Sequence, residues 1–442
     1  MRFKAKIAIV FFSTIIAFYS IVGGVMSSAG GAQVRSSYYT QIPIFEEVLG
    51  HIVRDYVDQP DLEKVRIGSL RGLAEGLDSY SAYLTPEQVK QYDPQSVKGE
   101  TGLIIAKVSG FAYVIAVVKG SPGEQAGVRE GDFVEYISKL PTRDLSLYEA
   151  QQLLSGQPGT SVELRVFRQG QSRKFTISRA KLAQPPIESR LEEPGIGYIK
   201  LTTLADGKTA EVRSHIAELV SKGAQKIVLD LRGSASGKLQ EAAGVANLFT
   251  GSGVLARILG KNDREIQVFN ADPAKVVFTG PLAVLTDRST AGPAEAIAAA
   301  VIKDKRGDVV GDRTFGAGAE QQLFSLSDGG ALLMTITRYA PATGKAFVEE
   351  GVAPTVKVER PVEAEALLPD TDEDDQDEEK PEQTPTVQPK SDVPATPAED
   401  VQLKKALEIL RQTATKAQAA KRAALRAPAN TTKNIIDRKQ VA

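Results

Sequence analysis

Thr286-Asp287-Arg288-Ser289-Thr290-Ala291-Gly292-Pro293-Ala294-Glu295, followed by Thr314-Phe315-Gly316-Ala317-Gly318-Ala319-Glu320-Gln321, are the two segments on which the reading of the fold turns. The first joins an apolar strand pattern, Leu282–Thr286, to a helical pattern from Ala294 to Ile302. Gly292 and Pro293 sit at the junction: glycine admits backbone angles that other residues avoid, and proline suits a first helical position, where no N–H is needed. Outward from this turn, residues 190–360 alternate between the two periods. Gly197–Leu201 and Lys226–Asp230 read as strands, and Lys208–Ser221 and Lys238–Leu248 as helices. That alternation predicts an α/β core.

Upstream, residues 36–95 read as helices, with Phe45, Val48, Leu49, Ile52, Val53 and Tyr56 on a helical period. Residues 97–182 carry Lys119-Gly120-Ser121-Pro122-Gly123-Glu124-Gln125-Ala126-Gly127-Val128-Arg129-Glu130-Gly131-Asp132, in which glycines permit tight turns and Gly127 can cap a short helix. An amphipathic helix over 145–154 and an alternating strand over Val162–Phe167 follow. This region resembles a PDZ domain.

The two opening segments resemble the active-site segment of the carboxyl-terminal processing (tail-specific) serine proteases, whose pattern is S-A-S-A-x-E-I and then T-F-G-K-G-x-x-Q. Tyr56-Val57-Asp58, Leu77-Asp78-Ser79-Tyr80-Ser81-Ala82-Tyr83-Leu84-Thr85-Pro86-Glu87, the Tyr339–Gly344 segment and Gly351-Val352-Ala353-Pro354 resemble further family motifs, so the likeness covers about residues 40–360. It implies an α/β (α+β) multidomain protein: a helical segment over 36–95, a PDZ domain over 97–182 and a protease-like core over 190–360. In the family the second serine is the nucleophile, and a lysine twenty-five residues later is its base. Glu295 and the Gly316/Gly318 pair hold the register, which puts Gly292 at the nucleophile position and Ala317 at the base position. Gln321 keeps the family's orienting position.

Peptide hydrolysis needs a nucleophile, a base and oxyanion donors. Gly292 has no hydroxyl and Ala317 no amine. One family oxyanion donor is the N–H after the nucleophile, and here Pro293 has none. The other comes from D-x-R-x-N-P-G-G, present as Asp230-Leu231-Arg232-Gly233-Ser234-Ala235-Ser236-Gly237, where Ser236 still offers an N–H. Loss of several parts of such a unit costs orders of magnitude in rate. The expectation is a pseudoprotease. The alternatives are an active serine endopeptidase with rearranged groups, for which Ser289 and Thr290 are the nearby hydroxyls, and an apolar small-molecule carrier of the kind this fold supplies in a retinoid-binding protein of the eye.

The PDZ resemblance implies strand addition by polypeptide C-termini or unfolded segments, with capture of the carboxylate by a backbone loop. The candidate groove is Gly102, Leu103, Ile104 and Ile105, faced by Leu147, Ala150, Leu153 and Leu154. An active paralogous protease is a second class of partner.

Composition narrows the rest. The 442-residue chain has no cysteine, no tryptophan and two histidines, His51 and His215, both within helical patterns. Thiol catalysis, disulfides and thiolate metal sites are excluded, and no cofactor or metal is expected. A net charge of −1 gives no reason to expect nucleic acid. Arg2, Lys4 and Lys6 precede an apolar run over residues 7–26 that ends in small residues to Ala32. Residues 1–32 therefore read as a signal peptide or an uncleaved membrane anchor, with the remainder exported to the bacterial periplasm or cell envelope, and membrane contact is expected through this helix alone. Residues 361–400, acidic and then rich in Pro, Thr and Gln, read as a disordered linker. Residues 401–426 read as a helix with Leu403, Leu407 and Leu410 on one face, free on the surface or docked.

Overall fold

The computed structural model describes residues 41–93, 98–341, 344, 346, 350–359 and 399–412. The expected leader at 1–32, most of the linker and residues 413–426 lie outside this set. Among the described residues no helix is long and apolar enough to cross a membrane.

The chain divides into two units, the first ending at Leu70. It contains the helix Ile42–Asp55 and the start of Leu62–Glu75, whose first N–H groups, at Glu63 and Lys64, are bonded by Asp61 Oδ1. The helical expectation for 36–95 fails beyond Glu75. Ala82–Leu84 is a strand, antiparallel to Ala331–Leu333, followed by a short helix Pro86–Gln91. Asp78 Oδ1 takes the N–H groups of Tyr80 and Ser81, making a turn that aims this strand at its partner.

In the second unit a six-stranded sheet runs in the order Val356–Lys357, Asp308–Gly311, Leu282–Thr286, Lys226–Asp230, Ile196–Lys200 and Glu188–Glu193. All neighbours are parallel except the last pair. Side chains alternate between its faces, as strand geometry requires. Ile227, Leu229, Leu282 and Val284 pack with the helices Lys208–Ser221, Leu239–Asn247 and Pro293–Lys303. Val228, Ala283, Leu285 and Val310 face the other way and are covered by Ala406, Leu407 and Leu410. The helix over 401–412 is thus the second layer of the core rather than a free surface helix.

Its start is fixed by charge. Asp400 caps the helix through the Leu403 N–H at 3.0 Å and grips Arg232 at 2.9 and 2.7 Å. Arg232 is also bound by Asp230, through Nη2 at 2.6 Å, and Asp230 accepts from the Tyr198 hydroxyl at 2.7 Å. Buried charge of this kind is tolerable because each partner is paired and hydrogen-bonded.

An antiparallel sheet of Ala82–Leu84, Ala331–Ala340, Val254–Leu259 and Glu265–Asn270, with Ala319–Ser325 also on Ala331–Ala340, adjoins this core. The third sheet is the PDZ-like one: Leu103–Val108, Phe111–Val117, Phe133–Ile137, Ser161–Arg168 and Gln171–Ser178, in that order. The helix Leu147–Leu154 closes its core, started by a reciprocal Ser146/Glu149 cap.

Leu410 is 1% exposed beneath the sheet. Leu410→Ala is expected to cost about 2–5 kcal/mol through the cavity it leaves, read as a drop in the thermal unfolding midpoint of the whole chain rather than loss of a separate small transition.

Candidate functional site

Asp230, Thr286 and Gly311 end three neighbouring parallel strands, and the loops beyond them meet at one point. Open parallel sheets place their sites at this end. The Ala291 N–H donates to Ser234 O at 2.9 Å and the Phe315 N–H to Thr290 O at 2.9 Å, so backbone alone links all three loops.

At their centre is Glu295, fully buried in the first turn of the helix Pro293–Lys303. Its carboxylate accepts from the N–H groups of Gly292 at 2.8 Å, Gly316 at 2.9 Å and Ala317 at 2.9 Å, and from the Thr314 hydroxyl. One side chain therefore holds the nucleophile position and the base position together. Burial pushes its pKa up to about 7, against the opposing pull of the Thr314 hydroxyl and the three backbone donors. A proton would lie on the side of Thr314 Oγ1, the one partner that can accept it.

Gly292 itself has φ 60° and ψ −124°, angles that L-residues rarely adopt. A Cβ there would lie 2.9 Å from the Ala317 carbonyl oxygen. The strained turn that would present a nucleophile is retained, and the space for its side chain is taken by backbone. Pro293 occupies the first helical turn, as its missing donor allows. Ser236 lies in the adjoining loop with its hydroxyl donating to Thr203 Oγ1 at 3.1 Å, and its carbonyl accepts from Leu204 N at 2.8 Å. Gly237, at φ 120°, passes so close to the Leu204 backbone that no side chain fits. Gln321 is exposed on the strand Ala319–Ser325, beside a register shift between Glu320 and Gln321.

The two nearby hydroxyls are committed to structure. Ser289 Oγ donates to Asp287 Oδ1 at 2.5 Å and accepts from the Gly233 N–H at 2.7 Å. Thr290 Oγ1 donates to Leu231 O at 3.0 Å and accepts from the Asp287 N–H at 3.2 Å. Both residues are buried. Lys107 has the property a lysine base needs, a pKa lowered by burial and only partly restored by Glu75, Asp144 and Glu149. However, its Nζ donates to Thr142 O at 2.5 Å and Leu145 O at 2.8 Å. It also points to the opposite face of its strand from Ala106, the residue that packs toward Ala317.

Ala106 and Ile115 of the PDZ-like sheet form a buried cluster with Ala291, against which Tyr113, Ala235, Phe315 and Ala317 pack. Tyr113 stacks on Phe315 with ring centroids 5.9 Å apart. The PDZ-like sheet therefore seats directly on the two degenerate positions. Sequence reading did not find this contact or the roles of Thr314 and Asp400.

A separate groove of about 90 Å³ opens at the edge of the PDZ-like sheet, lined by Gly102, Leu103, Ile104, Val118 and Leu154, with Glu100, Thr101, Gln151 and Ser155 completing it. Gly102, Leu103, Ile104 and Leu154 are where the sequence placed them. Ile105, Leu147 and Ala150 are not in the groove: they are buried in the domain's own core, because the helix turns that stripe toward the sheet. Glu100, Val118, Gln151 and Ser155 were missed. Among the described residues no group of three His, Cys, Asp or Glu side chains could hold a metal ion.

With this geometry in hand, comparison with known proteins is direct. Peptidase family S41 matches residues 195–358, and the PDZ domain family matches residues 113–168. The chain is 29% identical over 352 residues to the carboxy-terminal processing protease CtpA of Bacillus subtilis, covering 78% of this chain and 75% of that one. The chain belongs to the carboxyl-terminal processing protease family. A family member from Bartonella bacilliformis, the carboxy-terminal-processing protease, is 26% identical over 401 residues, 88% of this chain and 92% of its own. Among solved structures, the photosystem II D1 C-terminal processing protease superposes with a TM-score of 0.60 at 26% identity, over 71% of this chain and 92% of that one.

A carboxyl held at about 7 in the fold, against an ordinary 4.5, binds its proton more tightly when folded. Its contribution to stability is fully present below about pH 4.5 and is lost as pH rises through about 7. The stability advantage of wild type over Glu295→Gln is therefore expected to shrink between pH 4.5 and 8 by something on the order of 3 kcal/mol, measured by urea unfolding of both proteins across that range.

Proposed function

We propose that this family member is a pseudoprotease that binds polypeptide C-termini without cutting them. The observation that carries the reading is Gly292, a buried elbow with no hydroxyl, whose side-chain space is filled by the carbonyl of the residue standing where the base should be. Ala317 supplies no amine and Pro293 no oxyanion donor. The commitments of Ser289, Thr290 and Lys107 speak against substitutes, and Arg313, which stays protonated, cannot act as a base.

Binding falls to the PDZ domain. The strand Leu103–Val108 is the free edge of its sheet, where an extended peptide can add by backbone hydrogen bonds. Leu103, Ile104, Val118 and Leu154 offer an apolar floor for a terminal side chain. The basic residues and apolar run over 2–26 support export, by a signal peptide or an anchor, with the body of the chain outside the cytoplasm. In that compartment it acts as scaffold or regulator, an active paralogue being one partner class.

The test pairs cleavage with binding. Incubated with an unfolded protein, the full chain is expected to produce no fragments, while binding hydrophobic peptides with a free C-terminal carboxylate and losing them on amidation. Ile104→Asp should weaken that binding roughly tenfold or more, the cost of losing about one apolar contact in the groove. Cleavage that disappears in Ser289→Ala or Thr290→Ala would overturn the proposal.

A further inference from the structure

The helix Ile42–Asp55 has an apolar stripe and not one buried residue. Phe45, Val48, Leu49, Val53 and Tyr56 each leave 46–59% of their surface exposed. A single exposed leucine needs no explanation, but a contiguous stripe of this kind marks an interaction site. Stability argues the same way. A lone helix of 14 residues is marginal in water and is normally held by packing of its apolar face. No described contact does that for this helix, so a second surface is required.

The stripe has an internal symmetry that says which surface. Read outward from the Gly50–His51 bond, Leu49 mirrors Ile52, Val48 mirrors Val53, Glu47 mirrors Arg54 and Phe45 mirrors Tyr56. Laid antiparallel on a copy of itself, the helix sets apolar residue against apolar residue in three layers on each side of the centre. Glu47 meets Arg54 of the other copy. Gly50, at the crossing, has no atom within 4 Å of where a Cβ would stand, so the two backbones can approach closely there. A two-fold pair needs a patch complementary to itself, and this pattern provides one. Arg54 is bonded within its own helix to Asp55, at an exposed position where exchange to a new carboxylate is easy.

We infer that the helix Ile42–Asp55 is a self-association surface, and that two copies of this chain pair through it in antiparallel fashion about Gly50. A partner of different sequence would not require the mirror pattern, and the acidic pair Glu46-Glu47 is unsuited to an anionic membrane surface.

The chain contains no cysteine, so single-cysteine variants report geometry without background. The full chain, purified in detergent, is expected to be dimeric by light scattering. Leu49→Asp should weaken association roughly tenfold or more, and since Leu49 is exposed, its unfolding midpoint should stay near wild type. Glu47→Arg should also weaken the dimer, and adding Arg54→Glu should restore it. Under mild oxidation Gly50→Cys should form a disulfide dimer, whereas Phe45→Cys should not, its two copies lying roughly 16 Å apart along the axis. A monomeric wild type, a dimer indifferent to Leu49→Asp, or cross-linking at both positions, the mark of parallel pairing, would each overturn the inference.

Discussion

The Glu295 carboxylate is the constraint around which the site is built. Three backbone N–H groups and one hydroxyl, from segments some twenty residues apart, point into a volume without water and need an acceptor. Four unsatisfied buried donors would cost far more than any one of them contributes when paired. This demand does not depend on catalysis. A chain can lose the hydroxyl at 292 and the amine at 317 and still be held to Glu295, since its bonds run to the backbone of those residues and not to their side chains. That explains how an active-site architecture persists without its reagents.

The same separation of backbone from side chain bears on how the PDZ domain sits. Ala106, Ile115 and Tyr113 press on Ala291, Phe315 and Ala317. A lysine at 317 would have to bring an ammonium group into this apolar cluster, or be kept neutral there, at a cost of several kcal/mol. Alanine removes that cost and adds a methyl group to the contact. Substitution at the base position therefore favours the seated arrangement, in which Gly292 is covered.

Much of this was legible in the sequence, for identifiable reasons. The buried parallel strands Lys226–Asp230 and Leu282–Thr286 are short, uniformly apolar and bounded by turn residues, and Lys208–Ser221 has an unbroken helical period. The antiparallel strands Glu265–Asn270 and Ala319–Ser325 carry exposed polar residues without clean alternation and leave no such trace. Ala82–Leu84 was read as helical because its strand character comes from pairing with a segment 249 residues away, Ala331–Leu333. In the PDZ groove, Leu147, Ala150 and Leu154 share one helical stripe, and period alone cannot say that the first two turn inward while Leu154 also reaches the groove. Glu295 entered the reading only as a marker of register. Its chemistry depends on where residues 314–317 fold back, which spacing does not reveal.

The helix over 401–412 shows the limit of composition from the other side. Leu403, Leu407 and Leu410 announce an apolar face but not its destination. What decides the destination is Arg232, a buried cation in the loop that begins the site. Asp230 neutralises one side of it from the end of its own strand; the other side opens toward the uncovered face of the sheet, and Asp400 closes it. Because Asp400 is also the helix cap, the ion pair and the first turn form together, and the stripe that follows is aimed at Val228, Leu285 and Val310. The far end of the chain is thereby part of the scaffold that positions the loop of Ser234 and Ser236, so the degenerate site is supported by three strand ends and by a helix that arrives last in the sequence.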